Sequence, residues 1–156
     1  MRRLAGCLGL AVLAAAWAYS QAKDPFLGSW AMDPDKSIFT PGPAPMERYM
    51  TFEISDKGMT HLTKTPSLFG GSSNITYTAK FDGKDYEMTG APSYDHVSIK
   101  PQGAKTFVIT TKKGADVITE AKYTVSADGK TLVREGAAKT ADGQSNHFKE
   151  VLEKAE

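Results

Sequence analysis

Tyr77-Thr78-Ala79-Lys80-Phe81-Asp82-Gly83-Lys84-Asp85-Tyr86 decides the fold. Apolar residues at Tyr77, Ala79 and Phe81 alternate with Thr78 and Lys80, which is the period of a half-buried strand. Asp82-Gly83 then supplies the positive-φ turn chemistry that matches strand twist, so the stretch predicts a β-hairpin. A second copy, Tyr123 to Leu132 (YTVSADGKTL), repeats the Tyr, Thr, Asp, Gly and Lys positions. The hairpin is therefore the building unit.

Outward from that unit, alternation continues almost without interruption. Met50, Phe52 and Ile54 share one face, and Asp56-Lys57-Gly58 turns the chain into Met59 to Thr65. Further strands are predicted at 74–81, 84–89, 95–100, 105–112, 115–125, 130–138 and 145–154, with turn signals at the spacing of an all-β fold. No segment has the sustained helical periodicity needed to cross a parallel sheet, so neighbours pair antiparallel through short turns. An open meander of this many strands leaves two bare edges. Closing it removes them, and the expectation is one antiparallel up-and-down barrel of about 8–10 strands. One short helical turn is expected after the first strand, where Asp33 caps and Pro34 takes the first helical position. Pro41-Gly42-Pro43-Ala44-Pro45 is a stiff connector.

The first residues read differently. Arg2 and Arg3 precede an uncharged run from Leu4 to Ala18, and small residues follow, as in a secretory signal peptide. Cleavage after Ala18 or Ala22 fits, with Ala22 preferred, which divides the chain into a 1–22 signal peptide and a 23–156 barrel domain. The run is shorter than a membrane span requires, so no stable span is expected after cleavage. Leu4-Ala5-Gly6-Cys7 spells a lipoprotein signal, but the apolar run follows Cys7 instead of preceding it. The expected destination is the periplasm or the exterior. Cleavage also removes the sole cysteine, so the exported chain is expected to fold without disulfides.

The 19 basic and 18 acidic residues are interspersed and nearly balanced. That excludes a basic footprint for nucleic acid. His61, His96 and His147 show no spacing that places two on one metal, and Asp33-x-Asp35 fails the calcium-loop pattern at Ile38 and Ala44. Asp95-His96 near Ser93 lacks a nucleophile elbow. Gly70-Gly71-Ser72-Ser73 lacks the lysine and helix of a phosphate loop. No catalytic residue, metal or cofactor is expected, and the reading is of a non-enzyme.

Gly28-Ser29-Trp30, soon after a signal peptide and ahead of a meander of hairpins, resembles the Gly-x-Trp opening of lipocalins and the related fatty-acid-binding proteins. Together with Asp33-Pro34-Asp35-Lys36-Ser37 and Pro41-Gly42-Pro43, it is similar to small exported bacterial proteins usually labelled lipocalin-like. The chain departs from them in lacking the second lipocalin motif, a disulfide and room for a two-helix lid. The resemblance implies a barrel that holds a small hydrophobic ligand, with Trp30 plugging the closed end beneath a basic residue of a late strand. Arg134, in phase with Leu132, has three readings: that plug by cation–π contact, a carboxylate clamp inside the cavity, or a solvated residue beside Glu135.

Tyr77, Phe81, Tyr86, Met88, Phe107, Ile109 and Tyr123, with Arg134, are the expected interior. They either fill a core or line a pocket whose tyrosine hydroxyls orient a ligand. Leu68, Phe69 and Tyr94 lie in connectors and form the expected entrance. The leading expectation is a monomeric barrel binding a small hydrophobic ligand. The alternative is an envelope interaction or structural protein with a filled barrel.

Overall fold

The computed structural model describes residues 24–155, so the expected signal peptide, its expected cleavage site and Cys7 lie outside the described residues. Ten strands form the chain: β1 (Gly28–Thr40), β2 (Tyr49–Ser55), β3 (Gly58–Pro66), β4 (Ser72–Ala79), β5 (Tyr86–Thr89), β6 (His96–Gly103), β7 (Thr106–Lys113), β8 (Asp116–Val125), β9 (Thr131–Lys139) and β10 (Ser145–Lys154). Each pairs antiparallel with the next, and β1 pairs with both β2 and β10, which closes the barrel. No edge is left for another chain to extend. Inward positions carry the apolar residues: Met50 and Phe52 on β2, Val97 and Ile99 on β6, Phe107 and Ile109 on β7, Leu152 on β10. Ile54, in phase with Phe52, is exposed: it still pairs with Met59 on β3, but the pairing of β2 with β1 ends at Phe52.

The predicted helical turn is not formed. Asp33 does behave as a cap, its Oδ1 accepting the N–H groups of Asp35 (3.0 Å) and Lys36 (3.2 Å). The Ser37 hydroxyl, however, donates to Asp33 O and accepts the Val151 N–H, which returns the chain to β10. The segment is an irregularity within β1, between Asp33 and Ile38, and both flanks remain paired.

The Asp-Gly turns divide. At Asp128-Gly129, Ser126 N donates to Thr131 O (2.8 Å) and Gly129 N to Ser126 O (3.0 Å), a tight hairpin between β8 and β9. At Asp82-Gly83 no tight hairpin forms: β4 stops at Ala79, β5 starts at Tyr86, and the pair meets only at Thr76–Thr89 and Tyr77–Met88. Gly83 instead donates its N–H to Ile99 O on β6 (3.0 Å), carrying the loop across the short β5. Gly83 has φ +72°, with no atom nearer its absent Cβ than Lys100 Cε at 3.8 Å. Gly83→Val is thus a local conformational strain of about 1–2 kcal/mol.

Gly136 carries more weight. A Cβ there would lie 2.0 Å from Glu120 O and 2.8 Å from Ala121 Cα, both on the neighbouring β8 backbone. Gly136→Val is expected to cost about 1–3 kcal/mol through forced separation of β8 and β9. Thermal unfolding checks it, and an unchanged Tm would show that the strands part freely.

The end of the barrel holding the β2–β3, β4–β5, β6–β7 and β8–β9 connections is packed shut. Phe26, from the segment ahead of β1, packs at a tilt against Phe107 (4.3 Å between centroids, 45° between planes) and meets Phe52 edge-on (6.3 Å). Phe81 and Tyr123 complete the cluster around Phe107, at 5.7 and 5.2 Å. Trp30 is fully buried beside it, its Nε1–H donating to Phe26 O at 2.9 Å. The cation over the Trp30 ring is Lys154 (4.7 Å), not Arg134. Lys154 pairs with Trp30 across β1 and β10, whereas Arg134 sits well up β9.

Candidate ligand cavity

The opposite half of the barrel is hollow. A cavity of about 290 Å³ extends toward the β3–β4 and β5–β6 connections and is bounded by Thr65, Ser73, Tyr94 and Thr111 near its mouth. Of the expected interior residues, Tyr77, Met88, Ile109, Tyr123 and Arg134 line it, and so does Tyr94 from the expected entrance. Phe107 and Phe81 belong to the packed closed end. Tyr86 is only half-buried, and its hydroxyl donates to Asp82 Oδ2 at 2.9 Å in the β4–β5 loop. Leu68 and Phe69 stand at the β3–β4 tip; Phe69 is 100% exposed and does not touch the cavity.

Register builds the floor of the cavity from two rows. Across β10, β9, β8 and β7, Glu150 faces Arg134, Arg134 faces Tyr123, and Tyr123 faces Phe107. Across β2, β3, β4 and β5, Phe52 faces His61, His61 faces Tyr77, and Tyr77 faces Met88. Residues opposite one another on one face of a sheet touch, so each row is a chain of contacts.

In the first row Arg134 donates from Nη1 to Glu150 Oε2 (2.5 Å) and from Nε to the Tyr123 hydroxyl (2.9 Å). Its guanidinium lies over the Phe148 ring at 4.0 Å. Arg48, just ahead of β2, donates from Nη1 to Glu150 Oε1 and from Nε to Thr65 Oγ1 (3.2 Å). Glu150 is completely buried, and both arginines line the cavity above it. The arrangement is an Arg–Glu–Arg bridge with the guanidiniums inward: Arg134 holds the chain's own Glu150, and is neither the cation over Trp30 nor a solvated neighbour of Glu135. Although burial opposes its charge, Tyr123 and Glu150 raise the Arg134 pKa above its ordinary value.

In the second row His61 Nδ1 is 2.5 Å from the Tyr77 hydroxyl, and Nε2 is 3.0 Å from Thr63 Oγ1. Its ring stacks on Phe52 at 4.4 Å. Burial, aided by the Arg134 charge, pushes the His61 pKa down to about 3. Burial likewise raises both Tyr77 and Tyr123, so all three are neutral at pH 7. A neutral imidazole carries one N–H, so the His61 ring donates one of its two hydrogen bonds and accepts the other.

A lowered histidine pKa makes the folded state bind fewer protons than the unfolded state below pH 6.5. Stability is therefore complete above pH 6.5 and falls as pH drops from 6.5 toward 3, at up to roughly 1.4 kcal/mol per pH unit for this group. Urea unfolding between pH 7 and 4 is expected to show that loss, and His61→Gln to reduce its slope. An identical slope in both proteins would mean that carboxylates alone cause it.

Glu150, Arg48 and His61 escaped the sequence-derived site. A signal existed, since Glu150 shares the apolar phase of Phe148 and Leu152, and His61 that of Met59. Arg48 lies ahead of β2 but in the phase of Met50 and Phe52, so the same alternation reached it.

The described residues thus form a closed ten-stranded antiparallel up-and-down barrel with one packed end and one hollow end. No protein-family model and no curated protein matches the sequence. Among solved structures, the chain is similar to zebrafish ileal bile acid-binding protein complexed with cholic acid: 13% identity, TM-score 0.51, covering 84% of this chain and 99% of that one. It is also similar to a Schistosoma mansoni fatty acid-binding protein in complex with arachidonic acid: 12% identity, TM-score 0.53, covering 85% of this chain and 97% of that one. At these identities the likeness concerns the fold alone.

Proposed function

We propose that this chain is an exported, monomeric, non-enzymatic barrel that holds a small, largely apolar ligand. The observation that carries the reading is the enclosed space itself: the same inward alternation that packs the closed end solid leaves about 290 Å³ between Met88, Ile109, Tyr77 and Tyr123. The two fold neighbours are complexes with cholic acid and arachidonic acid, which supports a ligand role for such a space. The volume equals about ten waters and lies at the low end of ligand pockets, so the ligand is small. Export rests on Arg2, Arg3 and the apolar run to Ala18.

Purification of the mature protein from the cell envelope, organic extraction and mass spectrometry provide the test, with uptake of the neutral dye N-phenyl-1-naphthylamine alongside. A bound compound or saturable dye uptake is expected. A clean extract together with no dye uptake contradicts the reading. N-terminal sequencing should begin at Lys23.

One observation favours a second reading, in which the chain serves as an envelope interaction protein. Phe69 is fully exposed and Leu68 76% exposed on one loop tip. That reading expects a partner captured by the wild type and lost by Phe69→Ser, with ligand uptake absent.

A further inference from the structure

We infer that the cavity takes a planar aromatic ring in preference to an aliphatic chain, and that this ring stacks on the open face of the Arg134 guanidinium, with the Met50 and Met88 thioethers across the barrel from it. The inference rests on the ligand-holding reading above and names the class of ligand. The wall contains little plain hydrocarbon. Among the described residues that line it, only Ile75, Ile109 and Ala121 carry purely aliphatic side chains. Most of its other apolar surface is thioether, from Met50 and Met88, or ring, from His61 and the tyrosines. Thioether sulfur and ring edges both favour an aromatic partner over a saturated one of equal size. The rings already meet edge to face: His61 lies 5.1 Å from Tyr77 and 6.1 Å from Tyr123 between centroids, each at 87° between planes. A further ring entering from the mouth extends that pattern, whereas a saturated chain gains dispersion alone.

Arg134 supplies an independent observation. Its hydrogen bonds to Glu150 and Tyr123 leave from the edge of the guanidinium, which holds the plane in place. One face of that plane lies over the Phe148 ring at 4.0 Å. Phe148 is not part of the cavity wall and Arg134 is, so the Phe148 ring sits behind the guanidinium and the opposite face turns to the cavity. Guanidinium planes stack on aromatic faces. A ligand ring on the open face completes a sandwich of ring, cation and ring, and a saturated ligand leaves that face without a partner.

The test is isothermal titration of the mature protein at pH 7 with three neutral ten-carbon alcohols: 2-naphthol, trans-decahydro-2-naphthol and 1-decanol. Hydrogenation makes the skeleton more apolar, so hydrophobic transfer alone favours the saturated alcohols. 2-Naphthol is expected to bind about ten-fold more tightly than either. Arg134→Lys keeps the positive charge beside Glu150 but has no planar face, and is expected to reduce that preference about three-fold. Equal or reversed affinities in the wild type, no binding of 2-naphthol, or an unchanged ratio in Arg134→Lys would overturn the inference. If that variant does not fold, the double variant Met50→Leu, Met88→Leu, close in volume, takes its place, with the same reduction expected and an unchanged ratio again overturning the inference. Binding of all three alcohols without preference leaves the ligand-holding reading intact and removes only the aromatic ring. Failure of the dye and of all three alcohols removes both.

Discussion

Glu150→Ala is expected to lower the unfolding free energy by about 3–5 kcal/mol, among the largest losses available to a single substitution in this chain. The carboxylate is fully buried and engages two guanidiniums. Removing it leaves like charges facing each other in a half-dry space, with no counter-charge among the described residues lining the cavity. Desolvating ions is costly even when they are paired, so the triple replacement Arg48→Met, Arg134→Met, Glu150→Leu should recover most of that loss. Urea unfolding of the two variants checks both expectations, and a loss below about 1 kcal/mol in Glu150→Ala would show that the arginines readily reach water.

The second large effect lies at the opposite end of the barrel. Phe107→Ala is expected to cost about 3–5 kcal/mol, the range for a fully buried aromatic. Its ring lies within 4.3–6.3 Å of the centroids of Phe26, Tyr123, Phe81 and Phe52, so truncation opens a void against four neighbours at once. Because Phe107 does not line the cavity, the loss is mainly one of stability. Met88→Ala, on the cavity wall, should instead change ligand affinity. Equal effects of the two variants on both measurements would erase the division into a packed and a hollow half.

Alternation made the strands readable, since a period of two is local, and closure followed from the edges an open meander would leave. Two local signals were overridden at a distance. Asp33 caps as its type suggests, but Ser37 bonds to β10 and the chain stays a strand. Asp82-Gly83 does not close the expected tight hairpin, because the Gly83 N–H goes to Ile99 on β6. The site was half legible for a related reason. Phase tells that Tyr77, Tyr123 and Arg134 point inward, and it tells the same of Phe107, so it cannot separate a wall from a filled core. That distinction depends on which inward side chains meet across the barrel, and Phe26 reaches only one end. Arg134 was undecided in the sequence because its partner, Glu150, becomes its neighbour only through the β9–β10 register.

The hollow half is tested most directly by methyl spectra of methionine-labelled protein during titration with N-phenyl-1-naphthylamine. Met50 and Met88 line the cavity, whereas Met59 is fully buried outside it and serves as an internal reference. The account expects saturable shifts of the Met50 and Met88 methyls, with Met59 nearly still. Shifts absent from all three, or as large at Met59 as at Met50 and Met88, would contradict a ligand seated in this cavity.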